Sequence, residues 1–192
     1  MLASASPRRR ELLASLGVPF EVIASDVDET LDAVALPDAV ARLALRKART
    51  VAASRTAALV LGADTIVVID GRALGKPADA DDARTMLRAL RGRTHEVMTG
   101  IAVLDAASGR HAAETVISRV TMAAYTERDI EAYVATGEPL DKAGAYAIQG
   151  AGRALVVRLE GSRSNVVGLP LAATAELLRR VGVAVSVPPP EA

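Results

Sequence analysis

Apolar positions along this chain switch between two spacings. Short continuous runs at residues 1–3, 20–24, 59–61, 66–69, 97–104, 111–123 and 155–159 read as strands. Between them, helical spacing places apolar stripes over residues 7–16, 37–53, 79–90 and 127–135, with a last helix from the Gly168-Leu169-Pro170 step to Arg180. Ser6, Asp79 and Thr126 stand at N-cap positions, Pro7 and Pro37 at helix starts, and Gly17, Gly92 and Gly137 at stops. Asp70-Gly71 marks one hairpin turn and Ala107-Ser108-Gly109 another. Strands alternating with helices predict an α/β fold. No repeat and no compositional break marks a linker. The expectation is a single domain over residues 1–183, two lobes of one mixed sheet with a cleft between them, and a disordered tail over residues 184–192.

Three charged groups interrupt this pattern. The first is Arg8-Arg9-Arg10, in the first turn of the helix that Ser6 caps. A helix start carries partial positive charge and free N–H groups, so it favours anions. A phosphate-bearing ligand resolves the conflict, because helix starts and guanidinium forks both bind phosphate. Leu12, Leu13 and Leu16 define the inward face; Arg9 falls within it, Arg8 on its edge and Arg10 outside it. The second is Lys47, inside the stripe formed by Val40, Ala44 and Val51, with Arg42, Arg46 and Arg49 on the opposite face. A lysine there either snorkels outward or meets an anion. The third is Asp64, in Gly62-Ala63-Asp64-Thr65 between two apolar runs. Ile66–Ile69 continues the strand begun at Leu59–Leu61, and a carboxylate inside an otherwise apolar strand is costly without a partner or a task. It reads either as a metal ligand or general base, or as a turn residue between two shorter strands.

Composition narrows the choice. The chain has 23 Lys plus Arg against 23 Asp plus Glu, one Phe, three Tyr, no Trp and no Cys. Zero net charge and scarce aromatics argue against polynucleotide binding. The lack of cysteine removes thiol nucleophiles, thiolate metal sites and disulfides, which fits a reducing, cytoplasmic setting. No apolar run approaches a membrane span. Cations are written almost wholly as arginine; Lys47, Lys76 and Lys142 are the lysines. Gly75-Lys76-Pro77 lacks P-loop spacing. His95 and His111 fall on strand runs without ligand spacing and read as structural. The loop Ser25-Asp26-Val27-Asp28-Glu29-Thr30 is acidic.

Taken together, Ser4-Ala5-Ser6-Pro7-Arg8-Arg9, Ala44-Leu45-Arg46-Lys47-Ala48, Gly62-Ala63-Asp64-Thr65, Gly75-Lys76-Pro77, Asp141-Lys142-Ala143-Gly144-Ala145-Tyr146, Ile148-Gln149-Gly150 and Val167-Gly168-Leu169-Pro170 resemble the Maf-like nucleotide pyrophosphatases. The resemblance runs from Ser4 to about Arg180 and points to the branch acting on dTTP and UTP. It implies an elongated, two-lobed mixed sheet flanked by helices, with a deep central cleft, similar to the inosine triphosphate pyrophosphatases. It also implies magnesium- or manganese-dependent hydrolysis of a nucleoside triphosphate between its α and β phosphates, by a homodimer. Asp64 matches the catalytic acid. Ser4, Arg8, Arg9, Lys47, Thr65, Lys76 and Gln149 match substrate-contacting positions, with Gln149 reading the base edge. Asp64 and a carboxylate of the acidic loop match the metal site; Asp28 and Glu29 both qualify, and Glu29 is preferred. The family is also associated with inhibition of septum formation, so a nucleotide-sensing regulator with little turnover stands as the alternative, and a non-catalytic phosphate-binding domain as a third. A binder needs the cations but has less use for Asp64, which favours an enzyme.

Overall fold

The computed structural model describes residues 1–186. In chain order its elements are β1 (Leu2–Ala3), α1 (Pro7–Ala14), α2 (Leu36–Ala52), β2 (Leu59–Ile69), β3 (Arg72–Leu74), α3 (Ala80–Leu90), β4 (Thr94–Asp105), β5 (His111–Met122) and α4 (Glu127–Val134). Three short 3₁₀ turns follow, at Glu138–Asp141, Ala143–Ala145 and Gly150–Leu155, and then β6 (Val156–Glu160), α5 (Arg163–Val167) and α6 (Leu171–Arg180). The fold is α/β, as the alternation predicted. Its sheet is six-stranded and mixed, in the order β1-β2-β4-β5-β6, with β3 also on β2. β1 runs parallel to β2, with Leu2 opposite Leu61 and Ala3 opposite Gly62; β2/β3 and β5/β6 are antiparallel.

Two compact units form. The first holds Met1–Thr65, Thr99–Val116 and the chain from Gly168 onward; the second holds Ile66–Met98 and Ile117–Val167. In the first unit the period of two along β2 divides its side chains between two sets of helices. Leu61 and Ala63 pack with Leu13 of α1, with Leu16 just beyond it, and with Ala175, Leu177 and Leu178 of α6. Val60 packs with Ala48, Val51 and Ala52 of α2. Gly62 lies on the α2 side, where a Cβ would overlap the Ala44 carbonyl oxygen, and a Cβ on Gly100 would likewise overlap that of Val40. Glycine at both positions lets the α2 backbone lie directly on the sheet. In the second unit Val67, Ile69, Val97, Val120 and Met122 form a core with Leu87 and Leu90 of α3 and Ile130 and Tyr133 of α4.

Several sequence expectations need correction. Residues 20–24 are not a strand: only Val22 bridges to Leu2. β1 is two residues long and offers backbone for one such step, with Leu2 N–H donating to Glu21 O and Ile23 N–H to Leu2 O. One expectation holds here: Leu59–Leu61 continues through Gly62-Ala63-Asp64-Thr65 into Ile66–Ile69 as a single strand, which excludes the alternative of a turn aspartate between two shorter strands. α1 ends at Ala14, earlier than the residue 16 expected. The tail is anchored as far as Ser186, whose N–H donates to Leu16 O (2.9 Å); the rest of the expected disordered tail lies outside the described residues. No helix among the described residues is long and apolar enough to cross a membrane.

Candidate active site

The first unit gathers Ser4, Arg9, Glu29, Lys47, Asp64 and Thr65. Asp64 follows Gly62 on the face of β2 that α2 covers, and Lys47 descends from α2 between Ala44 and Ala48. Lys47 Nζ donates to Asp64 Oδ1 and to Glu29 Oε1, each at 2.6 Å. Lys47 and Asp64 are both buried, whereas Glu29 is exposed. The lysine therefore meets two carboxylates instead of snorkelling outward. Of the two acidic-loop candidates, Glu29 faces this ammonium. Asp28 instead accepts from the backbone N–H and hydroxyl of Thr30, which hold its carboxyl below the usual range.

Arg46, expected on the solvent face, clamps the acidic loop. It donates to Asp32 Oδ1 (2.5 Å), Thr30 O (2.5 Å) and Asp28 O (3.3 Å). The loop that presents Glu29 is thus fixed to the helix that presents Lys47.

On the other side of β2, Arg9 is fully engaged. Its Nε donates to Gly168 O (2.9 Å), its Nη2 to Thr65 Oγ1 (3.0 Å) and its Nη1 to Ser4 Oγ (3.4 Å). Thr65 shares a further hydrogen bond with the fully buried Thr99 (3.0 Å between hydroxyls). Burial lowers the Arg9 pKa from its ordinary value; Asp64 opposes that fall and Arg8 adds to it. Arg9 and Asp64 therefore feel one another's charge. Ser6 caps α1 through its hydroxyl, which accepts from Arg9 N–H (3.4 Å), and the first turn holds no acid. Arg8 is half-buried and Arg10 exposed, as the helical phase predicted.

Lys76 and Gln149 belong to the second unit, and both are exposed. The Gly75-Lys76-Pro77 loop meets the Asp141–Tyr146 motif in that unit: Gly144 N–H donates to Gly75 O (3.0 Å). Lys142 acts as a stitch, donating to Glu138 O (2.7 Å) and Asp141 Oδ1 (2.6 Å). His95 is buried against Tyr146, with Nε2 and Oη 2.7 Å apart, while His111 is exposed and its Nδ1 lies 3.2 Å from Gly109 O. Neither histidine stands in a metal-ligand group.

Sequence reasoning did not single out Thr99 or Glu138, and it gave Gly168 and Arg46 no part in the site. Thr99 carried a faint signal, as a hydroxyl within an apolar strand run. The other three act through partners distant in sequence.

The site thus joins, on one strand of an α/β fold, a carboxylate held by a buried lysine and, at the next residue, a hydroxyl held by a half-buried arginine. The chain belongs to the Maf-like protein family, whose sequence model matches residues 1–181. Curated relatives include the dTTP/UTP pyrophosphatase of Moorella thermoacetica, 56% identical over 184 residues covering 95% of each chain. The dTTP/UTP pyrophosphatase of Pelotomaculum thermopropionicum is 51% identical over 95% of this chain and 96% of its own. That of Myxococcus xanthus is 53% identical over 95% of this chain and 92% of its own.

Proposed function

We propose that this protein hydrolyses dTTP and UTP to the nucleoside monophosphate and pyrophosphate. The observation that carries the reading is the buried contact of Lys47 with Asp64 (2.6 Å), within a chain about half identical to enzymes bearing that name. Hydrolysis at the α phosphate asks for positioned water, a base near it, and cations for the departing pyrophosphate. Asp64 accepts the proton of the attacking water or orients it. Lys47 pairs with Asp64 and keeps it aimed in an apolar strand. Arg8, Arg9 and Lys76 balance phosphate charge, with Ser4 and Thr65 keeping the Arg9 fork in place. Gln149 presents an amide donor and acceptor to the pyrimidine edge.

The donor set suits a hard divalent cation in one particular way. Asp64 and Glu29 are brought side by side from two elements, both accepting from the Lys47 ammonium. No group of three or more His, Cys, Asp or Glu side chains among the described residues is placed to hold a metal. Two carboxylates completed by water and phosphate oxygens is how magnesium is usually held, so these residues fit a metal that arrives with the triphosphate. Bound there, magnesium or manganese supplies charge neutralisation on the phosphate oxygens and acidifies water. The family resemblance adds a cytoplasmic homodimer to the proposal.

Pyrophosphate release from dTTP, UTP, CTP, GTP and 7-methyl-GTP, with and without magnesium, tests the reading. Metal-dependent release from dTTP and UTP above the others is expected. Tight nucleotide binding without release from any of them contradicts it and leaves a nucleotide sensor.

A further inference from the structure

The turn that carries Gln149 is gripped on both sides by one phenol and one carboxylate. Tyr133 Oη accepts from Ala147 N–H (3.1 Å) and donates to Glu138 Oε1 (3.0 Å). Glu138 in turn accepts Ala151 N–H at Oε2 (3.1 Å) and Gly152 N–H at Oε1 (3.3 Å). Its own backbone is tied as well: its N–H donates to Thr136 Oγ1 (3.1 Å), and its carbonyl accepts from Lys142 Nζ (2.7 Å). Between the two grips stand Gln149, exposed, and Gly150 at φ +60°. A Cβ on Gly150 would come within 2.7 Å of Glu138 Oε2, so the carboxylate lies directly against the turn.

An exposed side chain is aimed by its backbone, because no packing holds it. An amide is also ambiguous: turned over, it exchanges donor and acceptor and pairs with cytosine as readily as with uracil. Discrimination between them therefore needs the amide anchored in one place. N–H groups donating to a carboxylate make stronger hydrogen bonds than those donating to a neutral acceptor.

We propose that Glu138, with Tyr133, is a positioning residue for pyrimidine recognition: it clasps the 147–152 turn so that Gln149 meets the base in one orientation. The clasp touches no substrate. This inference rests on the reading of Gln149 as the residue that contacts the base.

The test is kcat and KM for UTP and CTP on the full chain, in wild type, Gln149→Ala, Glu138→Ala, Glu138→Gln and Tyr133→Phe. Gln149→Ala is expected to lower the UTP-to-CTP ratio of kcat/KM. Glu138→Ala and Tyr133→Phe are expected to lower the same ratio about tenfold, the size of one lost hydrogen bond to a charged group. The loss falls on KM, with kcat for UTP within about twofold of wild type, and Glu138→Gln is intermediate. If Glu138→Ala does not fold, Glu138→Gln and Tyr133→Phe decide. A ratio kept in those two while Gln149→Ala lowers it overturns the clasp. A ratio kept in Gln149→Ala overturns the reading of Gln149, and the clasp with it.

Discussion

Replacing Lys47 by Met removes the ammonium 2.6 Å from Asp64 and leaves a carboxylate buried in an apolar strand. Breaking a buried pair in this way costs about 3–5 kcal/mol. Lys47→Met is therefore expected to lose about 3 kcal/mol of unfolding free energy in urea, and Lys47→Met/Asp64→Asn to regain part of it. A loss below about 1 kcal/mol contradicts the buried pairing. His95 gives a second prediction at this scale. Burial pushes its pKa down to about 4 from the ordinary 6.5, so the folded protein keeps it neutral where the unfolded chain already binds a proton. Stability is whole above pH 6.5 and falls as pH drops toward 4, by about 3 kcal/mol in total. His95→Asn should flatten that part of the pH–stability curve; an unchanged curve contradicts it. Asp64 and Lys47 were legible in the sequence because each is a charge in an apolar context. Thr99 and Glu138 were not, since what marks them is a partner brought near by folding: Thr65 for Thr99, and the 147–152 turn for Glu138.

The contact of α2 with β2 sets the site's geometry. Gly62→Ala places a methyl against the Ala44 carbonyl, which is backbone and has no rotamer to give way. Overpacking of this kind costs about 1–3 kcal/mol, and the helix that must shift is the one carrying Lys47. A lower unfolding midpoint together with reduced turnover is expected. Gly75→Ala, whose Cβ meets nothing within 4 Å, should leave stability within about 0.5 kcal/mol. Equal midpoints for the two variants would contradict the close approach. Helices α1 to α4 were legible through caps and stripes; Thr126 and Asp129 even form a full capping box. The course of β2 was legible from its two apolar runs, although Gly62-Ala63-Asp64-Thr65 between them has weak strand propensity. Pairing of Leu61 and Gly62 with β1 carries the strand through. α5 and the 3₁₀ turns, too short for a periodic signal, were not foreseen.

For the molecule as a whole, the alternation of runs and stripes was enough for the α/β class. It was not enough for the strand order: β4 takes its place beside β2 although β3 and α3 intervene in sequence, and no local pattern records such a pairing. Each unit builds its own core around its stretch of strand, and in the second unit surface charge adds to the packing of α3 on α4. Arg84 pairs there with Glu131, and Arg88 and Arg91 with Glu127. The central claim is that this fold places Asp64 to act on a nucleoside triphosphate. Its most direct test is magnesium-dependent pyrophosphate release from dTTP by wild type and Asp64→Asn, side by side, with melting curves showing that both are folded. The account predicts a fall in kcat/KM of about 10²–10⁴, the usual contribution of a positioned acid or base. Full turnover by a folded Asp64→Asn protein would contradict it.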